Sequence, residues 1–334
     1  MVNEFKGKKI IVTGGAGSLG NALVKSLLRK EPSIVRVLDI DETRLFLLEH
    51  EIDSPKLRVF LGDVRDKTRL IRAMENVDYV FHLAALKHVK SCEYDPFEAV
   101  KTNILGIQNL IEAALANNVS KVIFTSSDKA ANPNNTMGAS KLLGEKLMNA
   151  ANHSKGTKKT RFAAVRFGNV MGSRGSVIPL FKDQIAKGKD LTVTNPNMSR
   201  YMMSQSQAIS LILKCTELTK NGGGTFILKM PVVRLGDLVE ILIEESGKKG
   251  IKTRKIGLKP GETSFEELMS DEERRIAIEK EDMFIVPSFL SMHRAGIEIE
   301  GDDRIKDKKG YDSRYELPMT KEKLRSLLKK EKLV

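Results

Sequence analysis

Lys8-Lys9-Ile10-Ile11-Val12-Thr13-Gly14-Gly15-Ala16-Gly17-Ser18-Leu19-Gly20 decides the fold of this chain. A β-branched run ends in a glycine cluster, and Asn21-Ala22-Leu23-Val24-Lys25-Ser26-Leu27-Leu28 continues with helical spacing. The cluster satisfies G-x-G-x-x-G through Gly15, Gly17 and Gly20, and the variant T-G-x-x-G-x-x-G through Gly14, Gly17 and Gly20. Glycine permits a tight turn and a close approach of backbone to a pyrophosphate. That charge then meets the helix N-terminus, where Ser18 and Leu19 stand. A glycine string alone is a weak signal, but its place between a strand and a helix is what a dinucleotide site requires. Asp39 closes the next strand-like run, Ile34 to Asp39, 19 residues past Gly20. A carboxylate there accepts hydrogen bonds from the adenosine ribose hydroxyls and repels a 2′-phosphate, which favours NAD over NADP. After the third run, Gly62-Asp63-Val64 stands where side chains reach the adenine edge.

Further strands are expected at Leu57 to Leu61, Tyr79 to Leu83, Val119 to Ser126 and Arg161 to Phe167, with helical segments between them, the longest from Pro96 to Asn117. Strands alternating with helices imply parallel pairing through right-handed crossovers, and near-continuous apolar strands fit a sheet covered on both faces. The expected fold class is therefore α/β, a Rossmann-type doubly wound parallel sheet over residues 1–169. Beyond about Val170 the alternation degrades into Gly/Ser turns and helices near Gln205 to Thr219 and Leu235 to Glu245. Residues 170–334 are expected to form mainly a smaller mixed substrate-binding lobe, ending in a charged, irregular extension that clasps the surface.

Composition limits the alternatives. The chain has 334 residues, 41% hydrophobic and 30% charged, a length that buries a sizeable core without staples. Cys92 and Cys215 are 123 positions apart and lack metal-ligand spacing, which excludes a disulfide scaffold or zinc ribbon and fits a reducing cytoplasm. No apolar run approaches the roughly 18 residues of a spanning helix. Met1 to Lys6 pass directly into the first strand, so no signal peptide is expected. The net charge of +13 allows anionic partners, but no Trp and 5 Tyr leave few platforms for nucleic acid. The tail lysines (Lys306, Lys308, Lys309, Lys321, Lys323, Lys329, Lys330, Lys332) read as a solvated face. His82 and His88 read as packing or loop residues, and no further ligand completes a metal site.

At the end of the fifth strand stands Phe124-Thr125-Ser126-Ser127-Asp128-Lys129, followed by Met137-Gly138-Ala139-Ser140-Lys141. Carboxyl ends of parallel strands are where open α/β sheets place ligands. Ser127, Met137 and Lys141 have the layout of the extended short-chain dehydrogenase/reductases, with Met where Y-x-x-x-K has Tyr. On a helix, positions 137 and 141 share a face. Adding Phe81-His82-Leu83-Ala84-Ala85-Leu86-Lys87-His88-Val89, Pro96-Phe97-Glu98-Ala99-Val100-Lys101-Thr102-Asn103, Asp128-Lys129-Ala130-Ala131-Asn132-Pro133, Arg166-Phe167-Gly168-Asn169-Val170, Gly172-Ser173-Arg174-Gly175-Ser176-Val177-Ile178-Pro179, Lys259-Pro260-Gly261-Glu262 and Tyr311-Asp312-Ser313, the chain closely resembles the UDP-N-acetylglucosamine 4,6-dehydratases of polysaccharide biosynthesis.

The resemblance implies a redox-neutral elimination on a UDP-N-acetylhexosamine. Carbon 4 gives hydride to NAD, a base takes the carbon 5 proton, an acid helps the carbon 6 hydroxyl leave, and hydride returns to carbon 6. Acid and base fall on Asp128 and Lys129, which asks for a partly protonated Asp and a partly neutral Lys, both attainable by burial. Lys141 would hold the ribose hydroxyls, and Ala84 and Ala85 would join the cofactor site. On the substrate side, Arg174 in its Gly/Ser loop with Gly175, Ser176 and Val177 suits a diphosphate, and Arg200 stands where the family contacts the nucleotide. Asn169 serves phosphate or sugar, Glu262 serves the uridine ribose, and Lys87 completes the set. Two departures stand out. Met137 cannot deprotonate carbon 4's hydroxyl, although the family has a Met branch; Asp128, or a water held by Ser127 and Lys141, is the substitute. Asp39 replaces a Ser-Arg pair that suits NADP. A UDP-sugar 4-epimerase or a catalytically silent nucleotide-binding relative are the competing readings. The family's oligomers imply a homo-oligomer built on the helices Phe97 to Asn117 and Thr136 to Ala151.

Overall fold

The computed structural model describes residues 3–219, 222–258, 260–288, 290 and 311–334. Lys259, Lys306, Lys308 and Lys309 lie outside the described residues. The strands expected in the first half are present: β1 (Lys9–Thr13), β2 (Ile34–Asp39), β3 (Leu57–Leu61), β4 (Tyr79–His82), β5 (Lys121–Thr125) and β6 (Arg161–Arg166). They pair in parallel in the order β3-β2-β1-β4-β5-β6, with Val12 opposite Val37 on one side and Phe81 on the other. That order, reversing after β1, is the Rossmann-type doubly wound arrangement.

Alternate residues of each strand serve opposite faces. Ile10 and Val12 pack with helices α1 (Ser18–Leu28) and α2 (Glu42–Ile52). Ile11 packs on the other face, beneath α3 (Lys67–Ala73) and the helices further along the chain. Between β4 and β5 the chain forms α4 (Val89–Tyr94), α5 (Pro96–Ala99) and α6 (Gly106–Ala116). The single helix expected from Pro96 to Asn117 is interrupted by a π-helical stretch, Val100–Leu105. It holds the buried Asn103, whose amide bonds Leu86 N and O at 2.8 and 2.9 Å and Ser140 Oγ at 2.9 Å. One extra residue per turn, a feature common near functional sites, lets this side chain brace the loop after β4 against α7 (Thr136–Ser154).

The second half does not form a lobe by itself. From β7 (Asn169–Val170) the chain makes α8 (Val177–Ala186), β8 (Leu191–Val193) and β9 (Ser199–Met203), then α9 (Gln205–Leu218), which returns to cover α1. β10 (Thr225–Leu228) adds in parallel to β6. After β11 (Val232–Arg234), α10 (Leu235–Ser246), β12 (Thr253–Lys255) and α11 (Asp271–Ile276), strands β13 (Ile278–Glu279) and β14 (Met283–Val286) extend the same sheet antiparallel, to nine strands. A boundary at residue 169 thus marks where alternation ends, while later segments are shared between sheet and lobe.

The tail also departs from expectation. Residues Lys321–Lys330 form α12, capped by Thr320, with Leu324 and Leu328 fully buried in the lobe core beside Leu238 and Leu242 of α10. Its cations are paired rather than only solvated: Lys321 with Asp237 and Glu240, Arg325 with Glu244 and Glu245, and Lys329 with Glu245. Exposed pairs contribute little each, so burial of the two leucines holds the helix. Leu328→Ala should therefore destabilise the protein by about 2–4 kcal/mol in urea unfolding, whereas Lys329→Ala should change stability by less than about 1 kcal/mol.

Candidate active site

The glycine loop is a packing constraint before it is a binding site. Gly14 has φ +68°, and a Cβ there would lie 2.6 Å from Ala84 N, so β1 and the strand end carrying Ala84 and Ala85 meet backbone to backbone. A side chain at Gly20 would run into Gly14 O, and one at Gly15 would sit 2.6 Å from Val37 Cγ1. Gly17 begins α1 with no side-chain cap, which leaves the first-turn N–H groups around Ser18 and Leu19 available to an anion. Asp39 reaches the loop directly, accepting from Ala16 N at 3.0 Å through Oδ2 and from Asp41 N at 3.2 Å through Oδ1. Asp63 is at the end of β3 and accepts from Arg65 N at 2.9 Å. Val64 differs from expectation: its side chain is buried in the core against Gly106 rather than turned to the cleft.

Arg174 is the main relocation. It was expected on the substrate's diphosphate, but its guanidinium donates to Ala16 O at 2.8 Å, and its backbone N–H donates to Ser18 Oγ at 3.1 Å. Lys87 Nζ donates to Arg174 O at 2.8 Å, so the loops after β4 and β7 are fastened together above the glycine loop. A shallow cavity of about 270 Å³ lies beside this contact, between Ala16, Gly17, Ser18, Arg44 and Arg174.

Gly175, Ser176 and Val177, together with Asn169, Arg200 and Glu262, line a second cleft of about 290 Å³, closed by Phe181, Thr192, Thr194 and Leu235. Six of the expected substrate residues therefore converge on one site. Ser176 is the N-cap of α8 but makes no capping bond, and its buried Oγ has no partner among the described residues. An unspent hydroxyl at a helix N-terminus suits a phosphate. Arg200 donates to Ser199 O and Thr263 O at 2.9 and 2.7 Å, and stands 3.9 Å from Glu262.

At the end of β5 a short 3₁₀ turn, Asp128–Ala130, carries Asp128 and Lys129. α7 packs so closely that a side chain at Gly138 would overlap Lys129 O, so the helix fixes the turn. Ser127 Oγ donates to Asp128 Oδ1 at 2.7 Å, and Lys129 Nζ donates to Asp128 Oδ2 at 3.0 Å and Oδ1 at 3.2 Å. Sequence reading missed a third group. Glu266 Oε1 accepts from Lys129 Nζ at 3.3 Å. Asn169 Nδ2 donates to both oxygens of Glu266 at 2.9 Å, Tyr201 N donates at 3.0 Å, and Arg200 Nε stands 3.3 Å away. The side chains of Asp128 and Glu266 are 2% and 4% exposed against 29% for Lys129, so the ammonium is the member that opens outward.

The charges are the reverse of the expected ones. Burial alone would neutralise Lys129, but the carboxylates of Asp128 and Glu266 outweigh it and hold the ammonium above its ordinary value. Burial works against the Asp128 anion too, yet Lys129 and the Ser127 hydroxyl bring it below the usual carboxylate range. Glu266 is pushed up, by burial and by the neighbouring Asp128 charge, despite the donors around it. The resting site is an ion pair beside a second carboxyl.

The remaining positions lie on α7. Met137 is 4% exposed and packs with Cys92 and Ala99 in an apolar cluster, so it supplies no polar group. Lys141 Nζ donates to Thr125 O at 2.9 Å and lies 4.8 Å from the Phe124 ring centroid. Burial lowers it to about 8. His82 is buried, bonded to Thr13 Oγ1 at 2.7 Å, and lowered to about 3 by burial.

The chain matches the family described as Polysaccharide biosynthesis protein over residues 10–288. The chain belongs to this family. Its relatives include Uncharacterized membrane protein MJ1061 of Methanocaldococcus jannaschii, 51% identical over 333 residues, 98% of this chain and 97% of that one. UDP-N-acetylglucosamine 4,6-dehydratase (inverting) of Campylobacter jejuni is 41% identical over 284 residues, covering 84% and 83%. UDP-glucose 4-epimerase of Rickettsia canadensis is 38% identical over 333 residues, covering 97% and 96%. The X-ray structure of Pen from Bacillus thuringiensis superposes with a TM-score of 0.93 at 46% identity over 99% of both chains. DesIV of Streptomyces venezuelae, a dTDP-glucose 4,6-dehydratase with NAD and TYD bound, shares the fold at a TM-score of 0.68 and 24% identity, over 76% of this chain and 88% of its own. This is a family of nucleotide-sugar enzymes on the extended short-chain dehydrogenase/reductase fold. Although one relative carries a membrane name, no helix among the described residues is long and apolar enough to cross a membrane.

The buried Lys141 yields a test of the site's electrostatics. Its proton leaves near pH 8 when folded against 10.5 unfolded, so below pH 8 the folded chain bears the full cost of a buried cation. That cost is relieved as pH rises from 8 to 10.5. Lys141→Met should be the more stable protein at pH 7, by on the order of 2 kcal/mol in urea titrations of the cofactor-free chain, and the difference should shrink toward pH 10.5.

Proposed function

We propose that this protein is an NAD-dependent UDP-N-acetylglucosamine 4,6-dehydratase. The observation that carries the reading is the Asp128–Lys129 ion pair at the end of β5, with the half-open ammonium linked through Glu266 to Arg200 at the edge of the 290 Å³ cleft. A nucleotide diphosphate suits that cleft: Arg200 and the Ser176 hydroxyl at the start of α8 offer charge and donors, and Phe181 and Leu235 give apolar walls.

The glycine loop fits a dinucleotide, since glycines at 14, 17 and 20 leave no side chain over the uncapped start of α1. Gly14, Gly17, Ser18, Leu19, Gly20, Ala84 and Ala85 would hold it, with Lys141 on the nicotinamide ribose. Asp39 favours NAD, its carboxylate being the group beside the loop where NADP would bring a second anion. Bound there, the nicotinamide supplies reversible hydride acceptance from carbon 4 of the sugar.

The chain's own residues supply the proton steps. Lys129, 3.0 Å from Asp128 and the exposed member of the pair, takes the carbon 5 proton as the neutral amine after releasing its own proton to solvent, and returns a proton to carbon 5 at the end of the cycle. Protonated Asp128 then donates to the departing carbon 6 hydroxyl, and each such group typically contributes roughly 10²–10⁴ in rate. Met137 has no proton to exchange, so Asp128, or a water held by Ser127 and Lys141 that relays to it, accepts the proton of the carbon 4 hydroxyl, and this is the proton Asp128 gives to the carbon 6 hydroxyl.

A cytoplasmic location suits two buried free thiols, Cys92 and Cys215. Exposed Phe97, Leu105 and Leu143 on the α5–α7 face suit a homo-oligomer contact. The lobe from residue 170 serves the substrate, and 1–169 the cofactor. A 4-epimerase is the second reading, favoured by the Rickettsia relative's name but not by the buried ion pair, which that reaction does not use.

Incubation with NAD and UDP-N-acetylglucosamine in heavy water decides between them. Dehydration yields a product lighter by one water with deuterium at carbon 5; epimerisation leaves the mass unchanged. Asp128→Asn should abolish turnover while NAD binding persists, and full activity in that variant overturns the assignment.

A further inference from the structure

Glu266 is separated from Lys129 by 137 positions, yet its carboxyl is one of two that the Lys129 ammonium touches. Among the described residues, it meets both ends of the site. Toward the acid–base turn it accepts from Lys129 at 3.3 Å. Toward the nucleotide cleft it accepts from Asn169 at 2.9 Å and faces Arg200 Nε at 3.3 Å. Tyr201 N and Ser313 fix it further: Tyr201 N donates to Oε2 at 3.0 Å, and the Glu266 backbone N–H donates to Ser313 Oγ at 2.9 Å. A carboxyl so constrained cannot swing, so it dictates where the long Lys129 side chain comes to rest.

We infer that Glu266 is a positioning residue for the elimination, clamping the Lys129 ammonium opposite Asp128 and tying it to the nucleotide end through Arg200. This deepens the dehydratase reading and rests on it. Lys129 removes a proton from carbon 5 only as the neutral amine, so whatever stabilises the ammonium sets the pH at which that amine becomes available. The groups facing Lys129 are Asp128 from its own turn, Glu266 from the loop before α11, and Arg200 from β9; Glu262 lies 3.9 Å beyond Arg200. On the far side of the loop, Glu267 pairs instead with Arg274 and Arg314. In the pH range where Lys129 titrates, Glu266 is an anion, and it is one of the two negative charges that keep the proton on nitrogen.

The test is steady-state kinetics of the full-length protein with NAD and UDP-N-acetylglucosamine, comparing wild type with Glu266→Gln, Glu266→Ala and Glu266→Asp. In E266A, kcat should fall at least about tenfold while KM changes less than about threefold, because the lost alignment acts in the chemical step. In E266Q, the rise of kcat with pH should move to lower pH by about one pH unit or more, since one anion no longer holds the proton. E266D keeps the charge and should keep the wild-type position of that rise at reduced kcat. Thermal unfolding and NAD binding monitor folding; if E266A does not fold, the near-isosteric E266Q and the charge-conserving E266D decide. An E266Q profile that superimposes on wild type overturns the inference, as does a raised KM with kcat intact, which would make Glu266 only a brace for Arg200. Wild-type protein that yields no product lighter by one water overturns the dehydratase reading and this inference with it. Wild-type dehydration with an unmoved E266Q profile overturns the role of Glu266 alone.

Discussion

The ammonium of Lys129 lies between two carboxylates that are almost wholly removed from water, and the rest of the architecture has to make that arrangement possible. A buried charge without a partner is expensive, and losing one member of such a cluster typically costs about 3–5 kcal/mol. Asp128 and Lys129 are neighbours on a turn that β5 delivers, but Glu266 and Arg200 come from the second half of the chain. The chain must therefore fold back across the ends of the parallel strands before the cluster is complete. This is why the second half is not an independent lobe: β10, β13 and β14 join the sheet, α9 packs on it, and that return path carries Glu266 over the end of β5.

A second buried cation fastens the segment that bears Glu266. Arg166, fully buried on β6, donates to Glu145 of α7 at 3.0 Å and to Glu273 of α11 at 2.7 Å, and reaches Leu268 O at 2.9 Å. The flanking carboxylates hold its charge firmly although burial opposes it. Its fork reads two carboxylates and a carbonyl at once, a geometry the flexible point charge of a lysine would not reproduce. Leu268 is two residues past Glu266, so the clamp sets the height of the Glu266 loop above the sheet. The functional cluster and the structural cluster share α7, which carries Glu145, Met137 and Lys141 on one rigid element.

What could be read in the amino-acid order follows from how local each feature is. The glycine loop and Asp39 depend on neighbours within one strand-turn-helix unit and are legible from spacing, whereas the role of Asp128 and Lys129 is what the family resemblance implies. The strands of the first half were recoverable because the sheet is covered on both faces and its strands are continuously apolar. Glu266 gave no such signal: it stands in Glu266-Glu267 after a Gly-marked loop, and its meaning comes from a contact 137 positions away. The protonation expected of the acid–base pair failed for the same reason. Burial was foreseen from the strand end, but the second carboxylate that keeps Lys129 charged was not. Arg174 reads in sequence like a substrate ligand because it stands in a Gly/Ser loop, and the fold brings its guanidinium to Ala16 O. The tail reads as solvated charge because its leucines at 324 and 328 are few, yet one turn apart they share a face that α10 covers.

The two halves share one sheet and one core, and polar contacts join them further at both ends of the expected cofactor. Arg174 and Gln205 hold Ala16 O and Ser18 O at 2.8 Å each, over the glycine loop, while Glu266 holds Lys129 at the strand end. Such contacts are individually modest, about 1 kcal/mol for a neutral hydrogen bond and more where charge is involved. On the proposed reading this suits a redox-neutral reaction. A bound dinucleotide would be retained by a closed glycine loop, while the sugar nucleotide would enter and leave through a cleft of its own. The Arg174 contact and the Arg200–Glu262 cleft are lined by different residues, so on this reading substrate exchange at one need not disturb the other.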